Sequence, residues 1–300
     1  MSKFIVTGGC GFIGSHLVDF LVNQGHDVVV IDVNQSDNMN ASATYHIYDI
    51  TEPILDAEDI FKNADCVFHL AAEISIQKSI LLPDIFTRVN VLGTENILKY
   101  ASAFGVTKFV FASTSVIYGN NVPDGGSSEL ENADCLNQYA SSKLRAEEIC
   151  KHYREKYDLH ISVLRYFNVY GENSNLNGPH NPVITQFMHQ KMNNEPLTIV
   201  GDGTQERDFI HVNDVVTATY KAFEHCEGFE IYNIGSGECI SILDLARALS
   251  DNVIFVPARP GECRKTLANI QKAMINLEWK PEVKIGEYIK KLRSPQQGEE

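Results

Sequence analysis

The five residues Tyr139-Ala-Ser-Ser-Lys143 have the types and spacing of a general base. A Tyr and a Lys four apart on a helix lie one turn from each other on the same face, which sets an ammonium beside a phenol. A free phenol has a pKa of about 10 and is a poor base near neutrality; a neighbouring cation favours the phenolate. Lowering it by about 3 units takes about 4 kcal/mol of differential stabilisation, which Lys143 and a second positive charge can supply together. The same spacing also occurs on ordinary helices as a packed ring beside a solvated amine, so the rest of the chain decides.

The elements that must position this pair begin at the N-terminus. The apolar run Lys3-Phe-Ile-Val-Thr7 leads into Gly8-Gly-Cys-Gly11-Phe12-Ile13-Gly14 and an amphipathic stretch over residues 15–23. Strand, glycine-rich turn and helix in that order form a dinucleotide-binding unit. Gly8 permits the tight turn, Gly11 lets the backbone approach a pyrophosphate, and Gly14 lets the helix pack closely on its strand. The helix N-terminus offers unpaired N–H groups and a positive dipole end to the phosphates. A second buried strand, Asp27-Val-Val-Val-Ile31, ends at Asp32. An acid there accepts from both adenosine ribose hydroxyls and repels a 2′-phosphate. No Arg or Lys lies between Asp32 and Thr51 to receive such a phosphate, which favours NAD over NADP. A bound nicotinamide ring is then the second positive charge near Tyr139. Cys10, inside the turn, reads as a small residue that leaves it intact and not as a redox centre.

Composition narrows the classes. Three hundred residues, 44% of them hydrophobic, can bury a substantial core in one large or two modest domains. No run of about 18 apolar residues is present, so no membrane span is predicted. The start runs straight into a strand, leaving no room for a signal peptide. Seven cysteines with no CxxC pair argue against a disulfide framework or a zinc site and fit a reducing cytoplasm. The ten histidines show no ligand spacing, so no metal is predicted. A net charge of −14 makes nucleic acid an improbable partner; an anionic ligand must be held by a few placed cations.

Along the chain, buried strands over residues 44–48, 65–70, 108–112 and 160–164 alternate with helical segments, notably 84–104 and 138–157. This predicts an α/β fold, a doubly wound parallel sheet of the Rossmann type, with ligands beyond the carboxyl ends of its strands. Residues 1–168 read as the dinucleotide domain. From about residue 170 the rhythm changes: 172–182 is polar and rich in Asn, Gly and Pro, a long loop, followed by short strands and helices. Residues 169–300 therefore read mainly as a smaller α/β substrate domain, with the chain returning to the first domain around 209–235, in particular through Ile231-Tyr-Asn-Ile234.

The motifs Thr7-Gly-Gly-Cys-Gly-Phe-Ile-Gly14, His69-Leu-Ala-Ala72, Asn90-Val-Leu-Gly-Thr94, Ser113-Thr114 before Tyr118-Gly119, Tyr139-x-x-x-Lys143 and Arg165-Tyr-Phe-Asn168 stand in the order seen in extended short-chain dehydrogenases/reductases. Within that family the chain resembles the nucleotide-sugar 4-epimerases, from residue 3 to about residue 290. The resemblance implies an NAD site shaped by Gly8, Gly11, Phe12, Ile13, Gly14, Asp32, Asp49, Ile50, Leu70, Ala71, Ala72, Asn90, Tyr139, Lys143 and Phe167. Asp49 would accept from the adenine amino group and Lys143 would bond the nicotinamide ribose. Tyr139 would take the proton of the sugar 4-hydroxyl while C4 gives hydride to NAD, with Thr114 donating to the developing 4-oxygen. A nucleoside diphosphate, UDP first among them, would be held by Arg207 and Arg259 with help from the Asn168 amide. Glu262 would accept from a ribose hydroxyl, Glu73 and Ser75 would touch the sugar, and Thr266 would be a small gate admitting an N-acetyl group. The resemblance also implies a homodimer through the helices over 84–104 and 138–157. Relatives that are 4,6-dehydratases carry an Asp-Glu pair after the catalytic Thr, and decarboxylases usually a Glu. Ser115 and Val116 stand there, and neither exchanges protons near pH 7. A non-catalytic NAD-binding scaffold commonly loses the Tyr or the Lys, and both are present.

Overall fold

The computed structural model describes residues 1–36, 39–174 and 182–293; most of the polar loop predicted over 172–182 lies outside them. Among the described residues twelve strands are formed: β1 Lys3–Thr7, β2 Asp27–Asp32, β3 Thr44–Ile47, β4 Cys66–His69, β5 Lys108–Thr114, β6 His160–Tyr166, β7 Asn168–Tyr170, β8 Leu197–Val200, β9 Glu206–His211, β10 Phe229–Ile234, β11 Cys239–Ser241 and β12 Val253–Val256. The α-helices are α1 Phe12–Asn23, α2 Ala57–Phe61, α3 Ile76–Leu81, α4 Pro83–Phe86, α5 Thr94–Ala103, α6 Gln138–Lys156, α7 Val183–Met192, α8 Val212–Glu224, α9 Ile242–Leu249, α10 Gln271–Asn276 and α11 Ile285–Arg293. Among the described residues no helix is long and apolar enough to cross a membrane.

Seven strands form one parallel sheet in the order β10-β6-β5-β4-β1-β2-β3. Its strands are runs such as Val28–Ile31 and Phe109–Phe111, buried on both faces because helices cover both. Leu17, Val18 and Leu21 of α1 and Val215, Val216 and Ala218 of α8 fill one face; Ile97, Leu98 and Ala101 of α5 and Ala146 and Cys150 of α6 fill the other. From β1 the chain winds outward one way to β2 and β3, then returns to the other side of β1 as β4, β5 and β6. This reversal opens a crevice at the carboxyl ends of β1 and β4, where ligands of such sheets bind.

The remaining strands make a three-stranded sheet, β11-β9-β7, and a pair, β12-β8, over a core of their own around Tyr170, Phe187, Phe209 and Leu245. From there α8 packs back on α1 and β10 pairs with the edge of the large sheet, Ile231 beside Val163.

The predicted helix over 84–104 is broken into α4, a π-helical turn over Thr87–Gly93, and α5. The wider turn seats Gly93 against Ile50, where a Cβ would stand 2.6 Å from the Ile50 Cδ1, and aims Asn90 at Glu73. Apolar spacing does not distinguish a π turn from an α turn over seven residues. Strands β5 and β6 run two residues further than predicted, so Thr114 ends β5 instead of following it.

Candidate active site

The turn after β1 is fixed by contact. Gly8 has φ +72°, and a Cβ on it would lie 2.7 Å from the Ala71 nitrogen; a Cβ on Gly14 would lie 2.1 Å from the Gly8 oxygen. Gly11 donates to the Gly8 carbonyl at 3.0 Å and is the N-cap of α1. No side chain caps that end and no acid lies in its first turn, so the N–H groups at Phe12, Ile13 and Gly14 face an outside acceptor. At the end of β2 the Asp32 carboxylate takes the Cys10 N–H at 3.0 Å and the Asn34 N–H at 3.1 Å, which holds it at the mouth of the turn with lone pairs to spare. Asp49 is placed likewise, by the Thr51 N–H at 2.9 Å, with Arg88 at 3.9 Å. Ile50 is buried, Leu70 and Ala71 line the chain after β4, and Phe167 stacks on Tyr118. A cradle open only where glycines stand, an uncapped helix end and an acid beside it fit a dinucleotide without a 2′-phosphate. The Cys10 thiol is pushed up to about 11 by burial and by Asp32, which keeps it protonated.

Tyr139 and Lys143 lie in the first two turns of α6, which Asn137 caps by accepting the Ala140 N–H at 2.9 Å. Both are buried, Lys143 to 2% exposure. Burial holds the Tyr139 phenol above its ordinary value, with the Thr114 hydroxyl acting the other way. The Lys143 Nζ, one helical turn along from Tyr139, lies 4.2 Å over the Phe111 ring of β5. Burial brings Lys143 down to about 8, with Cys150 and Glu147 working the other way. Burial thus opposes the phenolate of Tyr139, and a positive charge bound beside it would favour that form.

Several side chains expected around a substrate are engaged within the protein. The Glu73 carboxylate pairs with Lys78 at 2.7 Å, and the Ser75 hydroxyl caps α3 by accepting the Lys78 N–H at 3.2 Å. Asn168 gives both amide hydrogens away, to the Asp208 carbonyl at 2.8 Å and the Thr266 hydroxyl at 2.9 Å, so it has none for a diphosphate. Thr266 is 6% exposed and also accepts the Asp208 N–H at 3.0 Å. It is a tie between β9 and the chain beside it, not an open gate, because residues 264–266 pair with Glu206 through an isolated bridge. Arg207 lies 3.8 Å from Glu262 and donates to the Glu206 carbonyl at 2.9 Å. Arg259 is exposed, on a loop clasped to the first lobe by Gln77 on the Pro260 carbonyl and Asn137 on the Gly261 carbonyl.

Other residues went unnoticed in the sequence. Fully buried Asp208 accepts from Ser236, Gly237 and Ala268. Glu147, one turn beyond Lys143, binds Arg165 through two bonds of 3.1 and 2.7 Å and receives the Ser113 hydroxyl. Arg165 also donates to Tyr118 at 2.8 Å, whose own pKa burial pushes up to about 12. This buried ion pair locks β5, β6 and α6 together directly behind Thr114. Only Asn137 carried a readable signal, an N-cap residue ahead of a helix.

The model of the NAD dependent epimerase/dehydratase family matches residues 4–235. The chain belongs to this family. A putative UDP-glucose 4-epimerase of Methanocaldococcus jannaschii is 36% identical over 300 residues, covering 96% of both chains. A UDP-N-acetyl-alpha-D-glucosaminuronate decarboxylase of Bacillus cytotoxicus is 33% identical, over 85% of this chain and 83% of that one. Among solved structures, the UDP-glucose 4-epimerase of Thermotoga maritima with UDP-glucose aligns with a TM-score of 0.90 at 33% identity, covering 96% of both chains. As a member of this NAD-dependent family the chain takes NAD, and the cradle around Gly8, Gly11, Gly14 and Asp32 is where it would be held. Nucleotide-sugar epimerases and decarboxylases stand side by side among its relatives.

Proposed function

We propose that the protein interconverts C4 epimers of a UDP-hexose, plain or N-acetylated at C2, through a transient 4-keto sugar. The observation that carries the reading is the placement of Thr114, at the end of β5, with buried Tyr139 and Lys143 on α6 packed against that strand, followed by Ser115 and Val116, which offer no acid or base for elimination or for chemistry at C5 and C6. Bound NAD supplies the acceptor and donor of hydride at C4. Tyr139 takes the proton of the 4-hydroxyl as the C4–H bond breaks, and Thr114 donates a hydrogen bond to the 4-oxygen as it becomes a carbonyl. Lys143 orients the cofactor ribose. After the keto sugar turns over in the pocket, Tyr139 returns its proton to the oxygen while hydride arrives on the other face of C4. Arg207 and Arg259 serve the diphosphate, Glu262 the nucleoside ribose, and Glu73 and Ser75 approach the sugar from the loop after β4.

The protein works as a homodimer in the cytoplasm on this reading. A groove between the π-helical turn, α5 and α6, lined by Val91, Ile149 and Tyr153 and by Glu95, Arg145, Glu148 and His152, would pack on its counterpart in a second copy. All seven cysteines are free, as in a reducing compartment. Incubating pure protein with UDP-, dTDP- and GDP-sugars and identifying products by NMR tests the reaction. A C4 epimer of a UDP-hexose is expected; release of carbon dioxide from a UDP-uronate, or loss of water, would overturn it. Light scattering at micromolar concentration tests the dimer, which a monomer mass would refute.

A further inference from the structure

Behind the crevice, one unbroken file of hydrogen bonds joins the cofactor turn to the catalytic helix. The Ala71 N–H meets the Thr7 hydroxyl at 3.2 Å, Thr7 meets His69 Nδ1 at 2.6 Å, His69 Nε2 meets the Thr94 hydroxyl at 3.0 Å, and Thr94 meets the Asn90 carbonyl at 2.7 Å. Asn90 continues the file: its side-chain oxygen accepts the Glu73 N–H at 2.8 Å, and its amide donates at 2.9 Å to both the Glu73 carbonyl and Ser142. Ser142 donates to the Tyr139 carbonyl at 2.8 Å. Thr7, His69, Asn90, Thr94 and Ser142 are each 0% exposed.

The direction of every link is forced. The Asn90 carbonyl only accepts, so the single Thr94 proton points to it, and His69 must then donate from Nε2. In a neutral imidazole Nδ1 is therefore bare and accepts the Thr7 proton, which leaves the Thr7 oxygen free for the Ala71 N–H. The ring is held neutral, down to about 3, by burial and by the Lys143 charge beyond Phe111. A histidine that merely fills a core needs one partner; this one uses both nitrogens, and they lead to different parts of the site.

We infer that His69 is a positioning residue with two separable duties: its Nδ1 acceptor holds the Thr7–Ala71 wall of the cofactor turn, and its Nε2 donor holds, through Thr94 and Asn90, the Glu73 loop and the helix that carries Tyr139. The π-helical turn serves the second duty, since it presents the Asn90 side chain to Glu73 and Ser142 while its carbonyl faces Thr94. Only the kinetic consequence rests on the epimerase reading.

The test separates the two arms. His69→Gln extends its amide toward the Nε2 position and Thr7→Val removes the hydroxyl on the other side, so both cut the Nδ1 arm. His69→Asn keeps an acceptor near Nδ1 and Thr94→Val removes the hydroxyl beyond Nε2, so both cut the Nε2 arm. NAD affinity is measured by equilibrium dialysis, and hydrogen exchange by mass spectrometry on the amides of Glu73 and residues 139–143. Cutting the first arm is expected to weaken NAD about tenfold, the change one lost buried hydrogen bond brings, with a smaller change in exchange. Cutting the second is expected to speed exchange about tenfold and lower kcat, with a smaller change in NAD affinity. If both pairs lose affinity and protection in equal proportion, or neither pair changes, the two-duty assignment is wrong. The valine variants, close in shape to threonine, carry the test if the His69 variants do not fold. Absence of turnover in the wild type would overturn the epimerase reading alone, with the dialysis and exchange arms still readable.

Discussion

Acid should unfold this protein partly through His69. Its ring is 0% exposed and its pKa falls from 6.5 to about 3, because burial and then the Lys143 charge oppose a second proton. With the folded value below the unfolded one, the unfolded chain binds more protons at any pH under 6.5. Stability is therefore unaffected above 6.5 and declines as pH falls from 6.5 toward 3. The full span of about 3.5 units corresponds to about 5 kcal/mol, and about 3 kcal/mol of it should be lost by pH 4.5. That is a large share of the ordinary stability of a domain. Urea unfolding at pH 7.5, 6.5, 5.5 and 4.5 measures it, with His69→Asn as the reference because it shares every other titrating group. The wild type should lose about 3 kcal/mol more than the variant between pH 7.5 and 4.5. Parallel pH profiles would refute the argument, showing that protonated His69 finds solvent or an anion in the folded state.

Tyr139→Phe should cut turnover by about 10²–10⁴-fold while retaining NAD, read by stopped assay and by cofactor release on denaturation; near-full activity would make Tyr139 the wrong base. Gly14→Ala puts a methyl 2.1 Å from the Gly8 oxygen, so NAD affinity should fall at least about tenfold and the melting temperature should drop, by dialysis and calorimetry. Glu147→Ala leaves Arg165, whose side chain is 7% exposed, buried without its partner, and should cost about 3–5 kcal/mol in denaturant unfolding. Thr266→Tyr, at a site 6% exposed, should destabilise by about 1–3 kcal/mol through overpacking and affect UDP-glucose and UDP-N-acetylglucosamine alike; selective loss of the acetylated sugar would restore the gate.

The sequence by itself determined the sheet class, the glycine turn after β1 and the shared helix face of Tyr139 and Lys143. These depend on local rules: a strand of buried apolar residues needs no partner to be recognised, a Gly8-x-x-Gly11-x-x-Gly14 turn is dictated by backbone clearance within seven residues, and a Tyr and Lys four apart share a helix face. What those groups do to one another was decided by tertiary structure. Lys143 lies over Phe111 because α6 packs on β5, which carries that ring. Asn168 and Thr266, plausible as ligand contacts in isolation, satisfy Asp208 because β7 and β9 are neighbours. The same holds for the file through His69, which gathers Thr7, His69, Asn90, Thr94 and Ser142 from β1, β4, the π-helical turn, α5 and α6. A buried polar group must find a partner wherever the fold supplies one, and the partners here stand up to 98 residues apart along the chain. Side-chain type announces that such a group needs a hydrogen bond; only the folded chain decides to whom it goes.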